Sequence, residues 1–154
     1  MSKILVVDDE EMVTTSLRNL FRLRTDYEAI TFTSPAEALA SVASHAYDLV
    51  ITDYLMPGMD GIAFLSRFKQ AQPQAIRILL TGYADKESAI RAINEIGLYQ
   101  YVEKPWDNDA LLMVARNALE KAALLRTLDQ KIQELRSAQG NLKEFQNELI
   151  RAFI

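Results

Sequence analysis

The chain has 154 residues and a formal net charge of −4, a balance that argues against a generic nucleic-acid binder. Its 49% hydrophobic content supports a true core, and its length suits one domain plus an appendage. There is no cysteine, hence no disulfide framework or thiolate chemistry. Neither a signal-peptide pattern nor an apolar stretch of transmembrane length is present, so a soluble, cytoplasmic protein with no membrane partner is expected.

Apolar runs alternate with helical patterns along the chain. Residues 4–7, Ile4-Leu5-Val6-Val7, read as a first strand. Residues 11–23 follow with Val13, Leu17, Leu20 and Phe21 at helical spacing. Residues 29–32 form a second strand. A helix then opens at Ser34-Pro35-Ala36-Glu37, with Ser34 as N-cap, Pro35 in the first helical position and Glu37 completing a capping box. Residues 49–52 are the third strand, 56–61 a loop, 62–69 a helix and 76–80 the fourth strand. A helix over 85–96 is expected, with Asp85 as its cap and Gly97 just past its end. Residues 101–103 make the fifth strand, and Asp107 can cap a last helix that has no stop signal. A strand–helix pair repeated five times predicts right-handed crossovers and a doubly wound five-stranded parallel sheet.

The ends of these strands carry the chemistry. Asp8 and Asp9 follow the first, Asp53 follows the third, and Lys104 ends the fifth. Open α/β sheets bind ligands beyond the carboxyl ends of their strands, so one rim gathers three carboxylates and an ammonium. Crowded carboxylates repel unless a cation sits among them, and Mg²⁺ favours oxygen ligands of this kind. The compact Lys104 ammonium suits an anion, either Asp53 or a phosphoryl oxygen. Singly, each aspartate reads equally well as an ordinary loop acid or helix cap. Together, at strand ends with a lysine at another, they read as a metal and phosphoryl site.

Four segments resemble the receiver domain of two-component response regulators. They are Val6-Val7-Asp8-Asp9-Glu10, residues 53–61 from Asp53-Tyr54-Leu55 to Asp60-Gly61, Leu79-Leu80-Thr81-Gly82, and Tyr101-Val102-Glu103-Lys104-Pro105. The resemblance covers about the first 120 residues and implies a flavodoxin-like (βα)5 fold. It implies that Asp53 accepts a phosphoryl group from a histidine kinase or phosphotransfer protein. Asp9 and Asp53 would ligate Mg²⁺ directly, Asp8 through water, and the Leu55 carbonyl would complete the protein ligands. Thr81 and Lys104 would contact phosphoryl oxygens, and Thr81 with Tyr101 would be the switch pair. It also favours a cis Lys104–Pro105 peptide. Such a chain is a signalling domain with at most slow autophosphatase activity. His45, the only histidine, reads as a surface residue and a poor phosphodonor.

The division expected is a receiver over 1–122 and a C-terminal helix over 123–154, a coiled-coil linker to an output domain beyond the chain. Leu128, Leu135, Leu142 and Leu149 recur every seven residues; taken as d, they place Leu125, Ile132, Gln139, Gln146 and Phe153 at a. A parallel homodimer through this helix and the 85–122 face is the first expectation. Gly140, the two glutamines and a repulsive Lys131–Arg136 edge count against it, and a single helix folding back on its own receiver is the competing reading. With no basic stretch before the leucines, the segment does not read as a DNA binder. Residues 81–85, with Ala92-Ile93-Asn94 and residues 104–107, are similar to receivers preceding HD-GYP phosphodiesterases or AAA+ activators. Two other classes compete: a Mg²⁺-dependent phosphohydrolase with an aspartyl nucleophile, whose usual Asp-x-Asp is missing here, and a phosphorylation-independent coiled-coil adaptor.

In receivers, the positions of Leu55 and Tyr83 flank the path of the water that hydrolyses the acyl phosphate. Both are bulky here and lack a group to orient water. The double change Leu55→Asn with Tyr83→Glu is expected to shorten the phosphoprotein lifetime in a decay assay; an unchanged lifetime contradicts this reading.

Overall fold

A computed structural model describes residues 1–152, the side chain of Tyr83 excepted. Five strands, β1 (Lys3–Val7), β2 (Glu28–Phe32), β3 (Leu49–Asp53), β4 (Ile76–Thr81) and β5 (Gln100–Glu103), form one sheet in the order β2-β1-β3-β4-β5. Every pairing is parallel. The strands run a residue or so longer than their apolar runs, so Asp53 and Thr81 are the last residues of β3 and β4.

Alternate residues of each strand face opposite layers. Ile4, Val6, Leu49, Ile51, Ile78 and Leu80 pack with Leu17 and Phe21 of α1 (Glu11–Arg24) and with Leu111 and Ala115 of α5 (Asn108–Ala152). Leu5, Val7, Val50 and Leu79 face Ala38 of α2 (Pro35–Ser41), Phe64 and Phe68 of α3 (Gly61–Ala71), and Ala89 and Ala92 of α4 (Lys86–Glu95). Phe21, Phe64 and Phe68 are fully buried, each contributing about 1.5–3 kcal/mol of transfer free energy. Both faces are covered, which explains why the strands read as unbroken apolar runs.

The helix caps follow the sequence in part. The Ser34 hydroxyl accepts the Glu37 N–H at 3.3 Å, forming the forward half of the capping box. The Asp107 carboxylate accepts the Ala110 N–H at 2.9 Å. Asp60, read as loop, caps α3 by accepting the Ala63 N–H at 2.7 Å. The helix expected over 85–96 is present, with Asp85 and Ile96 in its cap positions, but the side-chain cap expected of Asp85 is not formed. A 3₁₀ turn, Tyr83–Asp85, precedes α4. Gly97 lies just past the end with φ +76°, the left-handed conformation a helix terminus asks of glycine.

The chain divides into two compact units, residues 1–122 and residues from 123 onward. In the first, the buried stripe of α5 (Leu111, Ala115, Ala118, Leu119, Ala122) packs on the sheet. In the second, α5 continues with Leu128, Ile132, Leu135, Leu142, Phe145 and Leu149 exposed. Phe153, assigned to the last a position, lies outside the described residues.

The topology fixes where a site can form. From β1 the chain crosses to β2 on one side and then returns to β3 on the other, so β1 and β3 flank the switch point of the sheet. Gly61 opens α3 against that point. A Cβ there would collide with the Asp53 backbone carbonyl and press on Leu79 Cδ1. Gly61→Ala is expected to cost about 1–3 kcal/mol through overpacking, read as a lowered urea midpoint.

Candidate functional site

The register sets Val7 beside Thr52, so Asp8 and Asp53 leave β1 and β3 at the same height. The rim is stitched by backbone bonds. Asp8 N–H donates to Phe32 O at 3.2 Å, Tyr54 N–H to Leu80 O at 3.0 Å and Lys104 N–H to Thr81 O at 2.8 Å. These bonds extend the ladder one residue past the strand ends and hold the functional side chains on ordered backbone.

Lys104 joins the carboxylates. Its Nζ lies 2.8 Å from Asp8 Oδ2 and 3.1 Å from Asp53 Oδ1. The Asp8 side chain is fully buried, and its other oxygen accepts the Glu10 N–H at 2.9 Å. Asp53 Oδ1 also accepts the Tyr54 N–H at 2.9 Å. Asp9 is exposed, yet Asp8, Asp9 and Asp53 each offer an oxygen within 4.8 Å of the others. Those three residues could therefore hold a metal ion. The Lys104–Pro105 peptide is cis.

The electrostatics follow from this crowding. Burial raises the Asp53 carboxyl above its ordinary value, and the Asp8 charge raises it further; Lys104 and the Tyr54 N–H offset only part. Burial pulls the Lys104 ammonium down, but its hydrogen bonds and charge pairing with Asp8 and Asp53 outweigh that and leave it raised. The Asp53 carboxylate thus sits where an added cation would relieve it.

Thr81 is fully buried, and its Oγ1 finds no hydrogen-bond partner among the described residues. A buried hydroxyl left unpaired costs about 1–3 kcal/mol, so an oxygen acceptor brought to it would be favoured. In register, Thr81 pairs with Glu103 and Leu79 with Tyr101, which puts Thr81 and Tyr101 on the same sheet face two residues apart. Tyr101 is half-buried against the layer holding Ala89 and Ala92. Glu103 reaches Lys86 at the start of α4, 3.7 Å away. Leu55 is 61% exposed just beyond Asp53, while the Tyr83 side chain lies outside what is described. His45 is half-buried, its ring 6.1 Å from that of Tyr47 and away from the rim.

The sequence reading brought together Asp8, Asp9, Asp53 and Lys104, and the fold gathers all four. It missed that Asp8 is the closer partner of Lys104. The signal lay in strand parity: Asp8, Asp53 and Lys104 continue the positions facing the α1–α5 layer, whereas Thr81 and Tyr101 face α3 and α4.

The family described as response regulator receiver domain matches residues 4–116. The chain belongs to the response-regulator receiver family. Phosphorylation on an aspartate is the general function of this domain, and such domains interact with histidine kinases or phosphotransfer proteins. Among curated relatives, the hydrogenase transcriptional regulatory protein HoxA of Cupriavidus necator is 34% identical over 92% of this chain. The chain spans only 29% of that protein's length. Among solved structures, the signal receiver domain of an HD domain-containing protein from Pseudomonas fluorescens Pf-5 is 38% identical with a TM-score of 0.76, covering 82% of this chain and 92% of that one. The receiver domain of NtrX from Brucella abortus is 34% identical with a TM-score of 0.71, covering 76% and 98%. No helix among the described residues is long and apolar enough to cross a membrane.

A raised folded-state pKa means that ionised Asp53 subtracts from stability at pH values above both its folded and unfolded pKa. Asp53→Asn should therefore raise the urea midpoint at neutral pH in the absence of divalent cations. The advantage should shrink as pH falls through the raised value toward the ordinary carboxylate range. A pH-independent difference would contradict the assignment.

Proposed function

We propose that Asp53 is the phosphoacceptor of this receiver and that the rim switches the chain between two states. The observation that carries this is the single constellation at the switch point. A desolvated, raised Asp53 carboxylate touches Lys104, has two more carboxylates within metal-sharing distance, and lies at the end of the strand next to an unpaired Thr81 hydroxyl.

The donor would be a phosphohistidine on a kinase or phosphotransfer protein. An Asp53 carboxylate oxygen attacks phosphorus, the P–N bond breaks, and the imidazole leaves with the electron pair and takes up a proton. Mg²⁺, held by Asp8, Asp9, Asp53 and the Leu55 carbonyl, would neutralise charge on the phosphoryl oxygens as it is transferred. Lys104 moves from its pairing with Asp53 to a phosphoryl oxygen while keeping Asp8 as its anchor. Thr81 gains the acceptor that its hydroxyl lacks.

That new bond draws Thr81 toward the rim and relaxes packing on the α4 face, where Tyr101 is half-buried. Tyr101 then moves inward, and the surface of α4, β5 and the first part of α5 changes. This is a population shift driven by local charge. The reading extends to assembly. The receiver, residues 1–122, and the helix beyond it, residues 123–154, form separate domains, and the helix links the receiver to an output module. Phosphorylation controls a homodimer formed through that helix and the 85–122 face. This segment makes no direct contact with nucleic acid, works in the cytoplasm and turns over no substrate beyond slow loss of its own phosphoryl group. Likeness to HoxA supports a transcriptional output for the whole protein.

Incubation with acetyl phosphate and Mg²⁺ should give stoichiometric, acid-labile labelling. Asp53→Asn should abolish it, and Lys104→Met should leave labelling but uncouple beryllofluoride from any change in sedimentation. Label retained in Asp53→Asn would overturn the assignment.

A further inference from the structure

Beyond residue 122, α5 runs on to Ala152, and among the described residues its large apolar side chains stay exposed. With the four leucines at d, an unbroken heptad is apolar only in its first half. There Leu125, Leu128, Ile132 and Leu135 step by three, four and three residues. In the second half the same register alternates Leu142 and Leu149 with Gln139 and Gln146 and leaves Phe145 outside the core, 57% exposed.

A different path is apolar throughout. From Leu135, a second step of three reaches Ala138. Steps of four, three, four and three then reach Leu142, Phe145, Leu149 and Ala152. The repeated short step is a three-residue stammer, which overwinds a coiled coil locally. Gly140 follows it by two residues, and glycine lowers the cost of deforming helix backbone there.

The occupant of this seam is a second copy. A parallel, in-register copy matches the irregular spacing at every core position; a regular heptad partner would lose register at Ala138, and a reversed copy, which can match the spacing only about Leu135, would set Leu149 against Lys121. The area suffices as well. Nine core side chains at roughly 100 Å² each bury about 900 Å² per helix, against about 800 Å² per partner in a stable interface.

We propose that residues 123–152 pair with a second copy as a parallel two-stranded coiled coil whose seam shifts by a stammer at Ala138. The shift brings Phe145 into the core and leaves Gln139 and Gln146 at its edges. This rests on the dimer reading above and adds its register. It also gives the linker one defined place where a change of winding in the helix can be taken up or passed on.

The chain has no cysteine, so single-cysteine variants report cleanly. A symmetric disulfide needs Cα atoms within about 7 Å, which core positions meet and flanking ones exceed. Under mild oxidation of the full chain, Ala138→Cys, Ala152→Cys and Leu142→Cys should crosslink at least fivefold faster than Gln139→Cys, Gln146→Cys and the outward Asn147→Cys. By sedimentation, Phe145→Ser should weaken the dimer at least tenfold, and Gln146→Leu should leave it within threefold. Faster crosslinking through Gln139→Cys and Gln146→Cys overturns the stammer but leaves the dimer standing, because Leu142 is a core position in both registers. Absence of the Leu142→Cys crosslink overturns the parallel pairing itself.

Discussion

One ammonium between two carboxylates holds this molecule's functional end in shape. Lys104 bridges Asp8 and Asp53, which arrive from two neighbouring strands, while Lys104 itself arrives from the far edge of the sheet. Without a cation, Asp8 and Asp53 would repel across a buried gap. With Lys104 in place, the rim is neutral enough to be buried and polar enough to bind. The bond to Asp8 involves a fully buried partner; that to Asp53 involves one with a tenth of its side chain exposed. The two bonds therefore differ in how readily they can be exchanged.

The rest of the structure serves this arrangement. Parallel pairing brings all the strand ends to one edge, and the switch point between β1 and β3 provides the crevice. Close packing at Gly61 lets α3 begin directly against the Asp53 carbonyl. The two sheet faces divide the labour. The face toward α1 and α5 carries Asp8, Asp53 and Lys104. The face toward α3 and α4 carries Thr81 and Tyr101, and the small Ala89 and Ala92 are the buried residues of α4 there. Charge is gathered on one face, and Thr81 and Tyr101 sit on the other.

The helix beyond residue 122 obeys different physics. The first part of α5 is amphipathic around a buried alanine and leucine stripe, and its packing is settled within the receiver. The second unit carries an apolar seam with none of its large apolar side chains buried among the described residues. Such a helix gains little from propensity alone and depends on what covers it.

The sequence by itself determined the fold class, the five strands and the gathering of Asp8, Asp9, Asp53 and Lys104. Strands buried on both faces are mostly apolar, so carboxylates and ammonium groups gather where the strands end. It also determined the caps at Ser34 and Asp107, because these are local bonds spanning three residues. The tertiary structure alone decided what depended on distance. That Lys104 sits closer to Asp8 than to Asp53 follows from strand order and register, which join residues 96 positions apart. That Thr81 is buried with an unpaired hydroxyl depends on the layer packed over it. That Asp85 ends a 3₁₀ turn and makes no side-chain cap bond to α4, and that Asp60 caps α3, depends on how each loop must close. Local chemistry is written in the chain order, whereas pairings across strands exist only once the sheet has set their height.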